Sequence, residues 1–328
     1  MIKIISLIAL CTTLIQASVL ISVGGFDVTK YKNQYSFRNK NTTKTNVNIS
    51  EVLYKKSKHT NAVSMWITRD WKEDWYGIKT VQKEIINKGY TPVFIFYWFG
   101  DDVSVKFIKK NKRAYFHTLN KFLTYLKKLN GQKIVVLNPE YNMSGVSSWK
   151  GMNDIFLKSF QILRKDPQVL VGPCVGDFGN YKNINDEEEW KLFHPSLCKA
   201  AKKADFIAFQ EMRALTKNSK EEILKTPKRS LAFAKYLYKT YKKPTMLAYL
   251  AISSYGKDGE KIQNAVYKGF IKVLPKMKEE GHLMLFGIFH YFDYPGHVGY
   301  FKEAEEFFGV LRKDGTKKPS FQYYNKLH

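Results

Sequence analysis

Acidic residues are the minority in this chain, 29 Asp and Glu against 54 Lys and Arg, yet several stand directly after short apolar runs. Asp101 follows Trp98-Phe99-Gly100, Glu140 lies within Asn138-Pro139-Glu140-Tyr141-Asn142, Asp177 follows Gly176, and Glu211 lies two residues before Arg213. Carboxyl groups gathered at one place support a particular reaction. One, protonated, gives its proton to a leaving oxygen; a second attacks the carbon or activates a water, and their surroundings hold the two pKa values apart. The bond that such a pair breaks is glycosidic, and Trp98 and Trp149 offer aromatic faces that bury the C–H surface of a sugar ring. Asp70 and Asp102 read differently, because an acid just before a helical stretch suits a cap.

Other chemistries find less support. His290, Asp293 and His297 match no metal-ligand spacing and suit a sugar-binding rim, so neither a metal nor an organic cofactor is expected. A serine nucleophile would stand on a Gly-x-Ser-x-Gly turn, which is absent, and so are the Gly-x-Gly-x-x-Gly and Walker-type loops that hold nucleotides.

The elements that must position these residues alternate along the chain. Apolar, β-rich runs at 62–68, 91–99, 133–137, 169–172, 205–209, 245–250 and 283–289 read as strands, spaced about as far apart as one strand-helix unit requires. Between them lie amphipathic stretches such as Tyr115, Leu119, Phe122, Leu126 and Leu129, whose steps of four and three share one helix face. A run at 19–23 supplies an eighth strand. Buried strands separated by helices make a parallel sheet, and eight units predict a single-domain (β/α)8 TIM barrel over 61–328, with 18–60 as first strand and polar loop. The carboxyl ends of the strands are then the mouth where these acids would meet.

Residues 133–142 (KIVVLNPEYN) resemble the fourth strand of clan A glycoside hydrolases, and Glu140-Tyr141-Asn142 is similar to the Glu-Met-Asn of family 26, the β-mannanase type. The stretch from His290 to Gly299 and the tail around Gly309 to Ser320 are similar to the closing segments of secreted barrels. The resemblance implies that Glu140 is the general acid/base, with 19–23 counted as strand one. The same clan places a nucleophilic Glu at the end of strand seven. Here Tyr249 falls at that position, and the next carboxylate is Asp258. Three readings follow: Glu211 or Asp177 takes the second role, the strand count shifts by one, or the site binds sugar without cleaving it. The expectation favoured is a glycoside hydrolase pairing Glu140 with Glu211, whose ionised form Arg213 would hold. Trp98, Asp101, Asn138, Asn142, Asp177, Tyr249, Tyr255 and His290 would then bind a poly- or oligosaccharide. The alternative is a non-catalytic carbohydrate-binding barrel.

Residues 1–17 combine Lys3, an apolar run and a small residue, Ala17, before a cut, as a secretory signal peptide does, so a secreted or periplasmic protein is expected. In an exported chain Cys174 and Cys198 could join or remain thiols. No later segment is long and apolar enough to span a membrane, and a monomer is expected. The net charge of +25 suggests nucleic acid, but it comes from 47 Lys and only 7 Arg spread along the helical stretches. A nucleic-acid reader would cluster Arg, so no nucleic-acid partner is expected.

Overall fold

A computed structural model describes residues 19–24, 59–179 and 181–327. The expected signal peptide and most of the polar loop before residue 60 lie outside the described residues. Eight strands, β1 (Leu20–Val23), β2 (Ala62–Thr68), β3 (Thr91–Tyr97), β4 (Lys133–Leu137), β5 (Val169–Gly176), β6 (Ile207–Arg213), β7 (Thr245–Ile252) and β8 (Leu283–Ile288), close in sequence order into one barrel. Every pairing is parallel, and β1 closes the ring against β8 with Leu20 opposite Leu285 and Val23 opposite Ile288. Helices on the return paths include α1 (Ile78–Glu84), α2 (Val105–Leu126), α3 (Met152–Leu163), α4 (Glu187–Trp190), α5 (His194–Ala201), α6 (Lys220–Tyr241), α7 (Gly259–Glu280) and α8 (Phe321–Tyr324). This is the single-domain (β/α)8 barrel that the alternation predicts.

The strands read as unbroken apolar runs because both their faces are buried. One face fills the barrel, with Val93, Ile95, Ile134, Val136, Ala208, Met246 and Leu285. The opposite face meets the helices, where Phe94, Phe96 and Val135 pack with Tyr115, Leu119, Phe122 and Leu126 of α2. Ser104 caps α2 by accepting from the Phe107 amide at 3.2 Å. Asp102 pairs instead with Arg69 at 2.9 Å and Asp70 accepts from Thr68 at 2.6 Å, so neither makes the cap expected of it.

Two strands run further than the apolar runs suggest. β5 reaches Gly176, and β6 continues to Arg213, because the polar residues on its outer face find buried partners rather than ending the pairing. In β7 the register with β6 shifts by one residue, so that Phe209 faces Leu247 but Gln210 faces Tyr249. Ala248 and Tyr249 consequently both enter the interior cluster, a bulge that re-aims one side chain. Across the seam, Gly287 lies where a Cβ would stand 2.0 Å from the Ala248 carbonyl oxygen, so only glycine lets β8 approach the bulged strand. Cys174 faces the barrel interior, Cys198 lies on α5, and both are free thiols, which settles the alternative of a disulfide between them. No helix among the described residues is long and apolar enough to cross a membrane.

Candidate active site

Period-two alternation decides which residues the barrel turns inward at its carboxyl end. On β2 and β3 the inward residues are Trp66 and Tyr97, and beyond β8 comes Phe289. Trp66 meets the rings of Tyr97, Tyr249 and Phe289 at centroid distances of 5.5, 5.2 and 5.3 Å, so four aromatic side chains line the mouth. Glu140 joins them from the β4 loop. Asn138 and Glu140 both take left-handed backbone conformations, φ 49° and 62°, which break the alternation of β4 and turn the carboxyl toward β7. The Tyr249 hydroxyl donates to Glu140 Oε1 at 2.9 Å.

Burial pushes the Glu140 carboxyl up to about 7; the Tyr249 hydrogen bond opposes this, and the charges of Asp101 and Glu305 add to it. A carboxyl in that range carries a proton for donation near neutrality and can take one back. The Tyr249 hydroxyl is itself pushed well above its usual range by burial and by Glu140, so it stays a donor. Asp101 is exposed at the rim and accepts from the Tyr97 hydroxyl at 2.6 Å. Glu305 accepts from the Phe301 amide at 2.9 Å and faces His297 Nε2 at 3.5 Å. His290 stacks on Phe289 at 4.1 Å and lies 5.1 Å from the His297 ring. Burial holds both imidazoles below their usual range, His290 far below.

Glu211 stands elsewhere. On β6 Ala208 and Met212 pack toward the interior while Ile207 and Phe209 meet the helices, so Gln210 points inward and Glu211 and Arg213 point outward. Glu211 is fully buried there, accepting from Arg213 at 2.8 Å and from Ser230 of α6 at 3.0 Å. Asp177 joins the same layer: Arg229 holds it with hydrogen bonds of 2.6 and 2.7 Å, and the Trp190 indole donates to it at 2.9 Å. Arg229 also reaches Asp186 at 3.1 Å, and Tyr181 lies 3.9 Å from the Arg213 guanidinium. The structure therefore does not bring Glu211, Asp177 or Arg213 to Glu140. They form a buried ionic cluster between barrel wall and α6.

Three more expected sugar contacts turn away from the mouth. Trp98 donates its indole to Thr118 of α2 at 3.0 Å and packs on Tyr115. Asn138 donates to the Tyr115 hydroxyl at 3.0 Å. Asn142 clasps Gly176, donating to its carbonyl at 3.0 Å and accepting from its amide at 2.8 Å, so it ties the β4 loop to the end of β5. Tyr255 stands to one side, 5.5 Å from the Phe307 ring, lining a cleft of about 1040 Å³ between the start of α7 and the C-terminal segment. Its buried cation, Lys318, is held by Asp293 at 2.5 Å, Ser254 at 2.7 Å and the Gly309 carbonyl at 2.9 Å, which makes it a clamp. Of the expected residues, Glu140, Tyr249, Asp101 and His290 gather at the mouth. Trp66, Tyr97, Gln210 and Glu305 were not singled out. Alternation within β2, β3 and β6 puts the first three on the side of Ala62, Val93 and Ala208 once the inward face is known, whereas nothing local marks Glu305.

No protein-family model and no curated protein sequence matches the chain. Solved structures do resemble it in fold. A β-D-glucuronidase from Dictyoglomus thermophilum superposes with a TM-score of 0.60 at 12% identity, over 94% of this chain and 49% of its own. An exo-β-1,4-mannosidase from Opitutaceae bacterium strain TAV5 gives a TM-score of 0.57 at 11% identity, over 94% of this chain and 59% of its own. A GH5_18 protein from Bifidobacterium longum subsp. infantis gives 0.53 at 11% identity, over 82% and 69%. The chain thus spans about half the length of the glucuronidase it resembles. At such identity the likeness is one of fold.

Proposed function

We propose that this chain is a glycoside hydrolase acting on a poly- or oligosaccharide, with Glu140 as the proton donor. The observation that carries the reading is the placing of Glu140: a carboxyl at the carboxyl-terminal mouth of a (β/α)8 barrel, hydrogen-bonded to Tyr249 and ringed by Trp66, Tyr97 and Phe289. The glycosidases among the structures of like fold support it. For the second carboxylate we propose Asp101, which is open to solvent, held by the Tyr97 hydroxyl and close enough for its charge to act on Glu140. In this mechanism Glu140 protonates the leaving oxygen, Asp101 attacks the anomeric carbon or activates the water that does, and Glu140 then serves as base where an intermediate must be hydrolysed. The sugar ring stacks on the aromatic wall.

Release of new reducing ends from a polysaccharide panel tests this. Glu140→Gln and Asp101→Asn should each lower turnover by about 10²- to 10⁴-fold. Full activity in either variant removes that residue from the mechanism. One observation favours a second reading, a barrel that binds carbohydrate without cleaving it: Tyr249 occupies the strand-seven position where clan A carries its nucleophile, and its hydroxyl already engages Glu140. Binding without reducing-end release across the panel would decide for that reading.

Export through residues 1–17 is part of the proposal. The protein recovered from the periplasm or medium should begin at Ser18, next to the buried Val19 that leads into β1. A cytoplasmic chain retaining Met1 would contradict it.

A further inference from the structure

We propose that the mouth is built for a sugar bearing a protonated amino group, a glycan of hexosamine units with free amines, and that it turns uronic acids away. The inference rests on reading the mouth as a glycan-binding site. It begins with an imbalance. Around Glu140 the charges that act on its carboxyl are those of Asp101 and Glu305, both acidic. Among the described residues, the neighbouring cations are engaged elsewhere. Arg69 is bound to Asp102 and the Phe99 carbonyl, at 2.9 and 3.0 Å. Arg213 and Arg229 lie behind the wall on Glu211 and Asp177, and Lys318 is clamped on Asp293. At the rim, burial disfavours the charged form of His290 and His297, although His297 faces Glu305 at 3.5 Å. Among the described residues, the mouth therefore carries acids without a cation free to balance them.

A second observation is independent of charge. Gln210, 4% exposed, points inward from β6 beside Tyr249, and its Oε1 has no hydrogen-bond partner. A buried carbonyl oxygen left without a donor is costly, and a ligand that supplies N–H or O–H groups relieves it. A uronate carboxylate offers only acceptors at that group and would be repelled by Asp101 and Glu305. A neutral sugar offers hydroxyl donors but leaves the acidic charge unbalanced. An ammonium supplies three donors and the missing charge, and it also suits the faces of Trp66 and Tyr97.

The test uses the full-length Glu140→Gln variant, so that binding is read apart from cleavage. Titration calorimetry at pH 6 would compare hexamers of glucosamine in β-1,4 and β-1,6 linkage and of galactosamine in α-1,4 linkage with their N-acetylated forms and with oligogalacturonate. At least one free-amine hexamer should bind tenfold or more tighter than its N-acetylated partner, and the preference should collapse on adding Asp101→Asn or Glu305→Gln. Failure of every amine hexamer to bind, equal affinity for the acetylated form, tighter binding of oligogalacturonate, or a preference unmoved by both acid substitutions overturns the proposal. The hydrolase reading stands apart from these outcomes. Release of reducing ends from acetylated or uronate polymers alone would keep the hydrolase and refute the amine preference, whereas amine binding by the wild-type chain without release would do the reverse.

Discussion

Glu140 owes its proton to opposing neighbours, and each leaves a different signature. The Tyr249 hydrogen bond stabilises the ionised carboxyl, while burial and the charges of Asp101 and Glu305 stabilise the protonated one. An acid of pKa about 7 that must be protonated to act gives a rate that falls as pH rises through that value. In Tyr249→Phe the carboxyl loses a donor to its charged form, its pKa rises, and the alkaline limb of the pH–rate profile should move to higher pH. In Glu305→Gln a nearby negative charge disappears, the pKa falls, and the limb should move to lower pH. Limbs that stay in place in both variants would mean that the group titrating in the profile is not Glu140. The residue itself was legible, because the Glu-x-Asn after a buried strand stands out in a chain poor in acids. The donor that tunes it was legible only as a departure, a tyrosine where a carboxylate was expected. Its entry into the mouth depends on a bulge that no local residue announces.

At the scale of elements the strands were read well and their faces were not, for one physical reason. Burial on both sides makes an inward and an outward residue equally apolar, so IAFQEMR carries no polarity contrast to say which way Glu211 points. What resolves it is the partner surface: Ser230 and Arg229 on α6 complete a cluster of three carboxylates, Asp177, Asp186 and Glu211, around two guanidinium groups. Removing one partner of such a buried set leaves charges uncompensated and costs about 3–5 kcal/mol. Arg229→Met should lower unfolding free energy in denaturant by about that much, because Asp186 loses its cation and Asp177 keeps only Trp190 and a 3.4 Å contact with Arg213. Glu211→Gln keeps the packing and both oxygen and nitrogen positions near Arg213 and Ser230, and its turnover per folded molecule should stay within about twofold of wild type, in contrast to a catalytic carboxylate whose loss is worth about 10²-fold or more. A turnover collapse in Glu211→Gln with the fold intact would return that residue to the chemistry.

At the scale of the whole molecule the exposed lysines of the described helices and the acids at the mouth are separate systems. Lys109, Lys110, Lys127, Lys128, Lys202 and Lys203 belong to helices or helix ends on the outside of the barrel and are exposed. Salt screens such charges over about 10 Å at 0.1 M, whereas charges inside a partly enclosed mouth are screened much less. The exterior then acts through the diffuse field of many lysines, which draws the protein toward polyanionic surfaces without selecting among them. Retention on a sulfated resin should fall steeply between about 50 and 300 mM salt, and replacing any single pair such as Lys127 and Lys128 should change it only slightly. Over the same range, turnover of a short uncharged glycoside bound wholly within the mouth should change by less than about twofold, because Glu140, Asp101 and Glu305 act on one another at close quarters. A turnover that follows the salt dependence of retention would join the two systems and place part of the substrate site on the lysine-rich exterior.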